Sequence, residues 1–310
     1  MKILYLGPSD TFDHVKAELK GYDVRLALDD ATVDREIADI DVILDAYMKV
    51  RFGADRLKKA VKLRLVVTAT TGADHIDEAA LSARGIPLLT LKGQPILRDI
   101  TPAAEHSWLL LMACARQLKP ALKHVTDGRW DRNQFPGVML NGKTIGIIGC
   151  GRIGQWMARY AAAFGLKCLG YDPFLSEWPN GIEKCELKDL LVRSDFVTVH
   201  VTLSEQSKGL LGPAEFAAIK PGAILVNTSR GEIIDGSSLL AALESGKLRA
   251  AGLDVLTGEP DTVHNPLVEY ARKRDNLLIT PHIGGYSPDA LVYLLTFCCK
   301  RIKDYFEAHK

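Results

Sequence analysis

The stretch "TIGIIGCGRIGQWMARYAAAFGLKCLGYD", beginning at Thr144, constrains the fold more than any other part of the chain. An apolar run of strand character leads straight into Gly149, Gly151 and Gly154, spaced G-x-G-x-x-G, and a helix-length segment follows. The first glycine permits a tight turn, the second lets a pyrophosphate approach the backbone, and the third allows the helix to pack closely on the strand. The helix N-terminus adds unpaired N–H groups and a partial positive charge for the anion. Asp172 ends the next apolar run, where a carboxylate can accept both ribose hydroxyls and repel a 2′-phosphate. Together these features predict a dinucleotide site that takes NAD rather than NADP. Arg152 and Ile153 fall inside the loop, and with Asp172 holding the ribose, Arg152 reads as a solvent-facing neighbour of the pyrophosphate.

The rest of the chain extends the same rhythm. "KILYLG", "DVRLAL", "DVILDAY", "LRLVVTAT" and "PLLTL" are strand candidates in the first hundred residues, with helical patterns such as "ADRLKKAV" and "IDEAALSARG" between them. In "ITPAAEHSWLLLMACARQL", Thr101 can cap and Pro102 suits the first turn of a helix that is apolar almost all round. Six further strands follow from Lys143, "TIGIIG", "KCLGYD", "FVTVHV", "AILVNTS", "AAGLDV" and "NLLIT", a complete doubly wound set. The chain closes on one amphipathic helix that must dock somewhere. The expected fold is therefore α/β, with two doubly wound domains. A Rossmann cofactor domain, residues 99–283, is inserted in a smaller flavodoxin-like substrate domain made of 1–98 and 284–310.

Composition narrows the partners. Of 310 residues, 39 are Lys or Arg and 38 are Asp or Glu; a net charge of +1 offers no general attraction to nucleic acid or anionic lipid. Six cysteines include no C-x-x-C pair and no zinc-like spacing with histidine, so reduced thiols in a cytoplasmic protein without a metal are expected. The opening "MKILYLGPSD" has too short an apolar run for a signal peptide, and no membrane span is expected.

Ligands of doubly wound sheets bind beyond the carboxyl ends of the strands. Three polar residues follow apolar runs there: Arg230 in "AILVNTSRGEIID", Glu259 in "AAGLDVLTGEP" and His282 in "NLLITPHIGG". Singly, each has an ordinary explanation as a surface salt bridge, a turn glutamate or a packed core histidine. Beside a nicotinamide their chemistry is complementary. Hydride exchange with a secondary alcohol needs a base for the hydroxyl proton, which suits His282. A neighbouring carboxylate, Glu259, raises the imidazole pKa and fixes its tautomer. A forked cation, Arg230, steadies an acid and polarises the reacting oxygen.

With "GIIGCGRIG" and "YDP", "NTSRGEIID", "GLDVLTGEP" and "TPHIGG" in this order and spacing, nearly the whole chain resembles the NAD-linked D-isomer-specific 2-hydroxyacid dehydrogenases. The resemblance implies that Arg230 binds the substrate's carboxylate and carbonyl, that His282 is the general acid/base and that Glu259 is its partner. It implies further that Asp254 holds the nicotinamide amide, that Thr228 lines the same ring, and that His200 and Val201 lie on the adenosine side. In the N-terminal domain Thr71, Gly72 and Ala73 would offer backbone N–H groups to the substrate carboxylate. Tyr47 and Met48 would shape the far wall of the pocket, or simply pack their loop. Thr68 stands where phosphoglycerate-specific relatives often carry arginine, and Thr70 replaces a common glycine, which points away from phosphoglycerate. The chain also stops after its closing helix, without the regulatory extension of some phosphoglycerate enzymes.

By the same resemblance the greasy helix and the arm around "GRWDRNQF" make a homodimer through the cofactor domain, with Trp130 and Phe135 as anchors or as core residues. The reading that follows is an NAD-dependent enzyme interconverting a D-2-hydroxy acid and its 2-keto acid. Two alternatives stay open: an NADH-sensing, corepressor-like interaction protein, and a family member acting on an unusual substrate such as formate or phosphite.

Overall fold

The computed structural model describes residues 1–309. The chain divides into two compact units, Met1–Ile100 with Ser287–Lys310, and Thr101–Tyr286.

The smaller unit is a five-stranded parallel sheet of β1 (Lys2–Leu6), β2 (Asp23–Leu26), β3 (Val42–Asp45), β4 (Leu65–Thr68) and β5 (Leu88–Leu89). Their order is β2-β1-β3-β4-β5, so the connections reverse direction between β1 and β3. All four residues of β3 and of β4 are buried, the continuous apolar burial expected of strands covered on both faces. One face packs Ile3, Tyr5, Val42, Leu44, Leu65 and Val67 against the helix Pro288–Ala308. That helix turns Leu291, Leu295, Cys298, Ile302 and Phe306 inward, which completes a discontinuous unit.

The larger unit holds β6 (Thr144–Ile148), β7 (Lys167–Tyr171), β8 (Glu183–Lys184), β9 (Phe196–Val199), β10 (Ala223–Asn227), β11 (Leu248–Leu253) and β12 (Leu277–Ile279). The parallel order β12-β11-β10-β9-β6-β7-β8 is a Rossmann sheet with one strand more than the six expected. The addition is β8, two exposed residues hydrogen-bonded to the outer side of β7.

The helix Pro102–Ala115 packs Leu110, Leu111 and Cys114 into this unit's core, while Leu109 stays 55% exposed. Thr101 does not cap it: its backbone is helical rather than extended, its side chain accepts from none of the first amides, and its hydroxyl donates to Glu105 one turn on. Trp130 is 90% exposed, which removes the core explanation for it, whereas Phe135 lies edge-on to His124 at 5.1 Å. None of the helices described is long and apolar enough to cross a membrane.

Candidate active site

The glycine loop forms where β6 ends. Gly149 has φ +90°, and a Cβ there would sit 2.6 Å from the His200 carbonyl oxygen and 2.9 Å from Val201 Cγ1. His200 and Val201 thus press directly on the loop. At Gly154 a Cβ would come 2.1 Å from the Gly149 carbonyl oxygen, so only glycine lets the helix Arg152–Ala163 start this close to the strand. Gly151, which precedes the helix, would meet nothing within 4 Å; that open side, at the N-terminus of the helix Arg152–Ala163, fits a pyrophosphate. Asp172 lies at the end of β7, where its carboxylate accepts from the Cys150 amide at 3.0 Å and the Phe174 amide at 3.1 Å. These bonds tie the carboxylate to the loop, and the residues present fit a dinucleotide with free ribose hydroxyls. Desolvation pushes the His200 imidazole down to about 3, so it is a neutral neighbour whose Nε2 pairs with the Thr198 hydroxyl at 2.7 Å. Thr228 shares a 2.6 Å hydroxyl contact with Ser107.

Three loops at the carboxyl ends of β10, β11 and β12 carry the polar residues. After β10, buried Asn227 shapes the turn: its Oδ1 accepts from the Ser229 amide, and its Nδ2 donates to the Arg230 carbonyl. Gly231 then passes so close to the β11 loop that a Cβ would fall 2.1 Å from the Thr257 amide nitrogen. That approach brings the Arg230 and Glu259 loops together.

After β12, His282 takes φ +54° and donates its amide to the Asp254 carbonyl at 2.8 Å. Its side chain is 39% exposed, so it is not a packed core histidine. Nδ1 lies 2.7 Å from Glu259 Oε1 and donates to that carboxylate, so Nε2 is the ring nitrogen that Glu259 does not engage. The hydrogen bond to Glu259 raises the His282 pKa; burial and the Arg230 charge oppose the rise, while the Glu259 and Asp254 charges add to it. Arg230 is therefore near enough to be felt electrically, and its Nη1 donates to the Ser229 carbonyl at 2.8 Å.

Asp254 is 1% exposed. Its carboxylate accepts from the Thr280 hydroxyl at 2.5 Å, the Ile283 amide at 2.9 Å and the Gly284 amide at 2.7 Å, and His106 Nε2 lies 3.3 Å away. His106 also meets the Thr280 hydroxyl at 2.9 Å. Both carboxylate oxygens are thus spent on shaping the His282 loop. Sequence reasoning missed His106 and Thr280; a histidine in an apolar helix and a threonine before "PH" were the available signals.

In the smaller unit Tyr47 and Met48 are half-buried just past β3, Thr71 is exposed, and Ala73 is buried. The Thr70 hydroxyl donates to the Gly72 carbonyl at 2.7 Å, which stiffens the turn through 71–73. Thr68 is fully buried and its hydroxyl donates to the Thr70 carbonyl at 3.2 Å, so it presents neither charge nor donor outward. Among the described residues no cluster of His, Cys, Asp and Glu could hold a metal ion. Burial pushes the thiols of Cys114, Cys150, Cys298 and Cys299 up to about 12, which keeps them protonated and inert.

Residues 108–284 match the D-isomer specific 2-hydroxyacid dehydrogenase NAD binding domain, and residues 6–95 match the catalytic domain of the same family. The D-3-phosphoglycerate dehydrogenase of Archaeoglobus fulgidus is 33% identical over 295 residues, which are 94% of this chain and 54% of that protein. The chain spans about half the length of the curated relatives it matches. Among solved structures, the TT0316 protein of Thermus thermophilus superposes with a TM-score of 0.87 at 29% identity, covering 99% of this chain and 97% of that one. A D-2-hydroxyisocaproate dehydrogenase does so with a TM-score of 0.86 at 26% identity, covering 100% and 98%. The chain belongs to the D-isomer specific 2-hydroxyacid dehydrogenase family, and its larger unit is that family's NAD-binding domain.

Proposed function

We propose that the protein interconverts a D-2-hydroxy acid and the matching 2-keto acid, with NAD as the redox partner. The observation that carries this reading is the 2.7 Å His282–Glu259 pair set against the Arg230 charge at adjacent strand ends. The Gly149–Gly154 loop and the amides behind it hold the pyrophosphate, Asp172 holds the ribose, and His200, Val201 and Thr228 flank the cofactor. NADH, when bound, supplies the hydride for the carbonyl carbon. His282 enters reduction as the imidazolium and gives the Nε2 proton to the carbonyl oxygen, while Glu259 steadies its charge through Nδ1. In oxidation the neutral ring takes the hydroxyl proton back. Arg230 pairs with the substrate carboxylate and draws electron density from the carbonyl. Asp254 fixes the loop from which His282 projects, a role its buried hydrogen bonds support more strongly than contact with the nicotinamide amide. In the smaller unit the backbone of Thr71, Gly72 and Ala73 binds the substrate carboxylate, and Tyr47 and Met48 border the substrate.

NADH consumption with a panel of 2-keto acids of graded size tests this reading. Turnover with at least one is expected; tight NADH binding with no turnover favours an NADH sensor instead. A second reading, D-3-phosphoglycerate as the substrate, is favoured by the names of the relatives at 33–39% identity and opposed by the buried, uncharged Thr68. Including the corresponding 3-phosphooxy-2-keto acid in the panel separates the two. The cofactor unit further acts as a homodimer: Leu109, Leu122, Val125, Trp130 and Met139 are all at least half exposed, apolar side chains that a second copy would cover.

A further inference from the structure

The smaller unit contains a buried, hydrogen-bonded Asp–His pair that the proposed chemistry does not use. Asp45 ends the apolar run of β3 and is 1% exposed, a position where a carboxylate needs full pairing. It accepts from the Tyr47 amide at 3.0 Å and the Met48 amide at 3.3 Å, which holds Met48 at φ +54°. It also accepts from His75 Nε2 at 2.6 Å. The His75 side chain is 9% exposed, and its Nδ1 is buried with no partner among the described residues. The ring is therefore oriented from the Asp45 side alone.

His75 belongs to the loop that follows β4, the loop that carries Thr71, Gly72 and Ala73. Its carbonyl accepts from the Phe52 amide at 2.8 Å, and the Asp77 amide returns to the Phe52 carbonyl at 2.9 Å. The loops after β3 and β4 are thus stitched together by backbone at one end and by the Asp45–His75 pair at the other. Both lie at carboxyl strand ends next to the reversal between β1 and β3, where sheets of this order bind ligands. Packing alone gives no reason for a buried polar pair here, since apolar residues of equal volume stabilise a core as well or better.

We propose that Asp45 and His75 are a positioning pair for substrate binding, holding the backbone of residues 71–73 and 47–48 in the geometry that receives the acid. This rests on the reading that Thr71–Ala73 binds the substrate carboxylate. Neither residue touches the reacting atoms; each acts through the amides it places.

The test is the steady-state kinetics of H75L, H75Q and D45N with a keto acid that the wild type reduces, alongside NADH affinity and melting temperature. H75L is expected to raise KM for the keto acid by about 10-fold or more, the scale of one lost charge-assisted hydrogen bond, while kcat changes by less than about 3-fold and NADH affinity is kept. H75Q, whose amide nitrogen can donate to Asp45, is expected to bring KM back to within about 3-fold of wild type. An unchanged KM in H75L, a fall in kcat without a KM effect, or an H75Q as impaired as H75L overturns the inference. Should H75L melt below the assay temperature, D45N decides by the same KM criterion, and loss of the fold in both assigns the pair a purely structural role. Absence of wild-type turnover removes the parent reading and this inference together, whereas turnover with unchanged KM removes this inference alone.

Discussion

Glu259→Gln replaces a carboxylate with a neutral amide at the 2.7 Å contact that raises the His282 pKa. A hydrogen bond to a charged group contributes about 1.5–3 kcal/mol and a neutral one about 0.5–1.5, so the imidazolium loses roughly 1 kcal/mol or a little more. Solvent screening trims this, because the side chains of His282 and Glu259 are 39% and 30% exposed. A tenfold change in population corresponds to about 1.4 kcal/mol, so the ratio of charged to neutral His282 falls by about 5- to 10-fold at a given pH. The sign follows from the direction of the shift. Reduction needs the imidazolium, its rate declines as pH rises through the His282 pKa, and losing Glu259 moves that decline to lower pH. The assay is NADH oxidation with a saturating 2-keto acid over a range of about pH 5 to 9. Above the decline the variant should run about 5- to 10-fold slower than wild type, and the gap should narrow toward acid pH. A profile that coincides with wild type, or one displaced to higher pH, would refute the assignment of Glu259 as the partner of His282.

Gly154→Ala places a methyl 2.1 Å from the Gly149 carbonyl oxygen, which must move by more than an ångström. At about 1–3 kcal/mol of overpacking, NADH titration should show affinity weakened by about 5- to 150-fold; unchanged affinity would mean the loop does not hold the pyrophosphate. Asp172→Ala should weaken NAD and narrow its advantage over NADP in parallel titrations, and unaltered discrimination would place ribose recognition elsewhere. Trp130→Glu puts a charge on the most exposed large apolar side chain of the chain. Sedimentation should show it shifting a dimer toward monomer, whereas a wild-type protein that sediments as a monomer would rule the dimer out.

The strands were legible because buried parallel strands are short apolar runs bounded by turns: "VILD" and "AILVN" announce both their span and the polar residue at their carboxyl end. β8 was not legible, since two exposed residues at a sheet edge carry no periodicity. The glycine loop and the three polar residues at strand ends could be read for the same reason, as each sits at a position that the strand pattern marks. The buried supports could not. His106 and Thr280 are 174 positions apart, and His75 and Asp45 are 30 apart, so their contacts exist only after the sheets have formed. The left-handed backbone at His282 was equally hidden, because Asp254, through its carbonyl and carboxylate, holds a conformation that the local residues would not choose. The missing cap at Thr101 has a backbone cause: the residue is already helical, at φ −107° and ψ −12°, rather than extended as a capping residue must be.

The most direct test is His282→Ala assayed for NADH affinity and for kcat with the best keto acid of the panel. Removal of the proton donor should leave NADH affinity within about 3-fold of wild type and lower kcat by about 100- to 10,000-fold. Turnover close to wild type would contradict the claim that the imidazole at the end of β12 moves the proton.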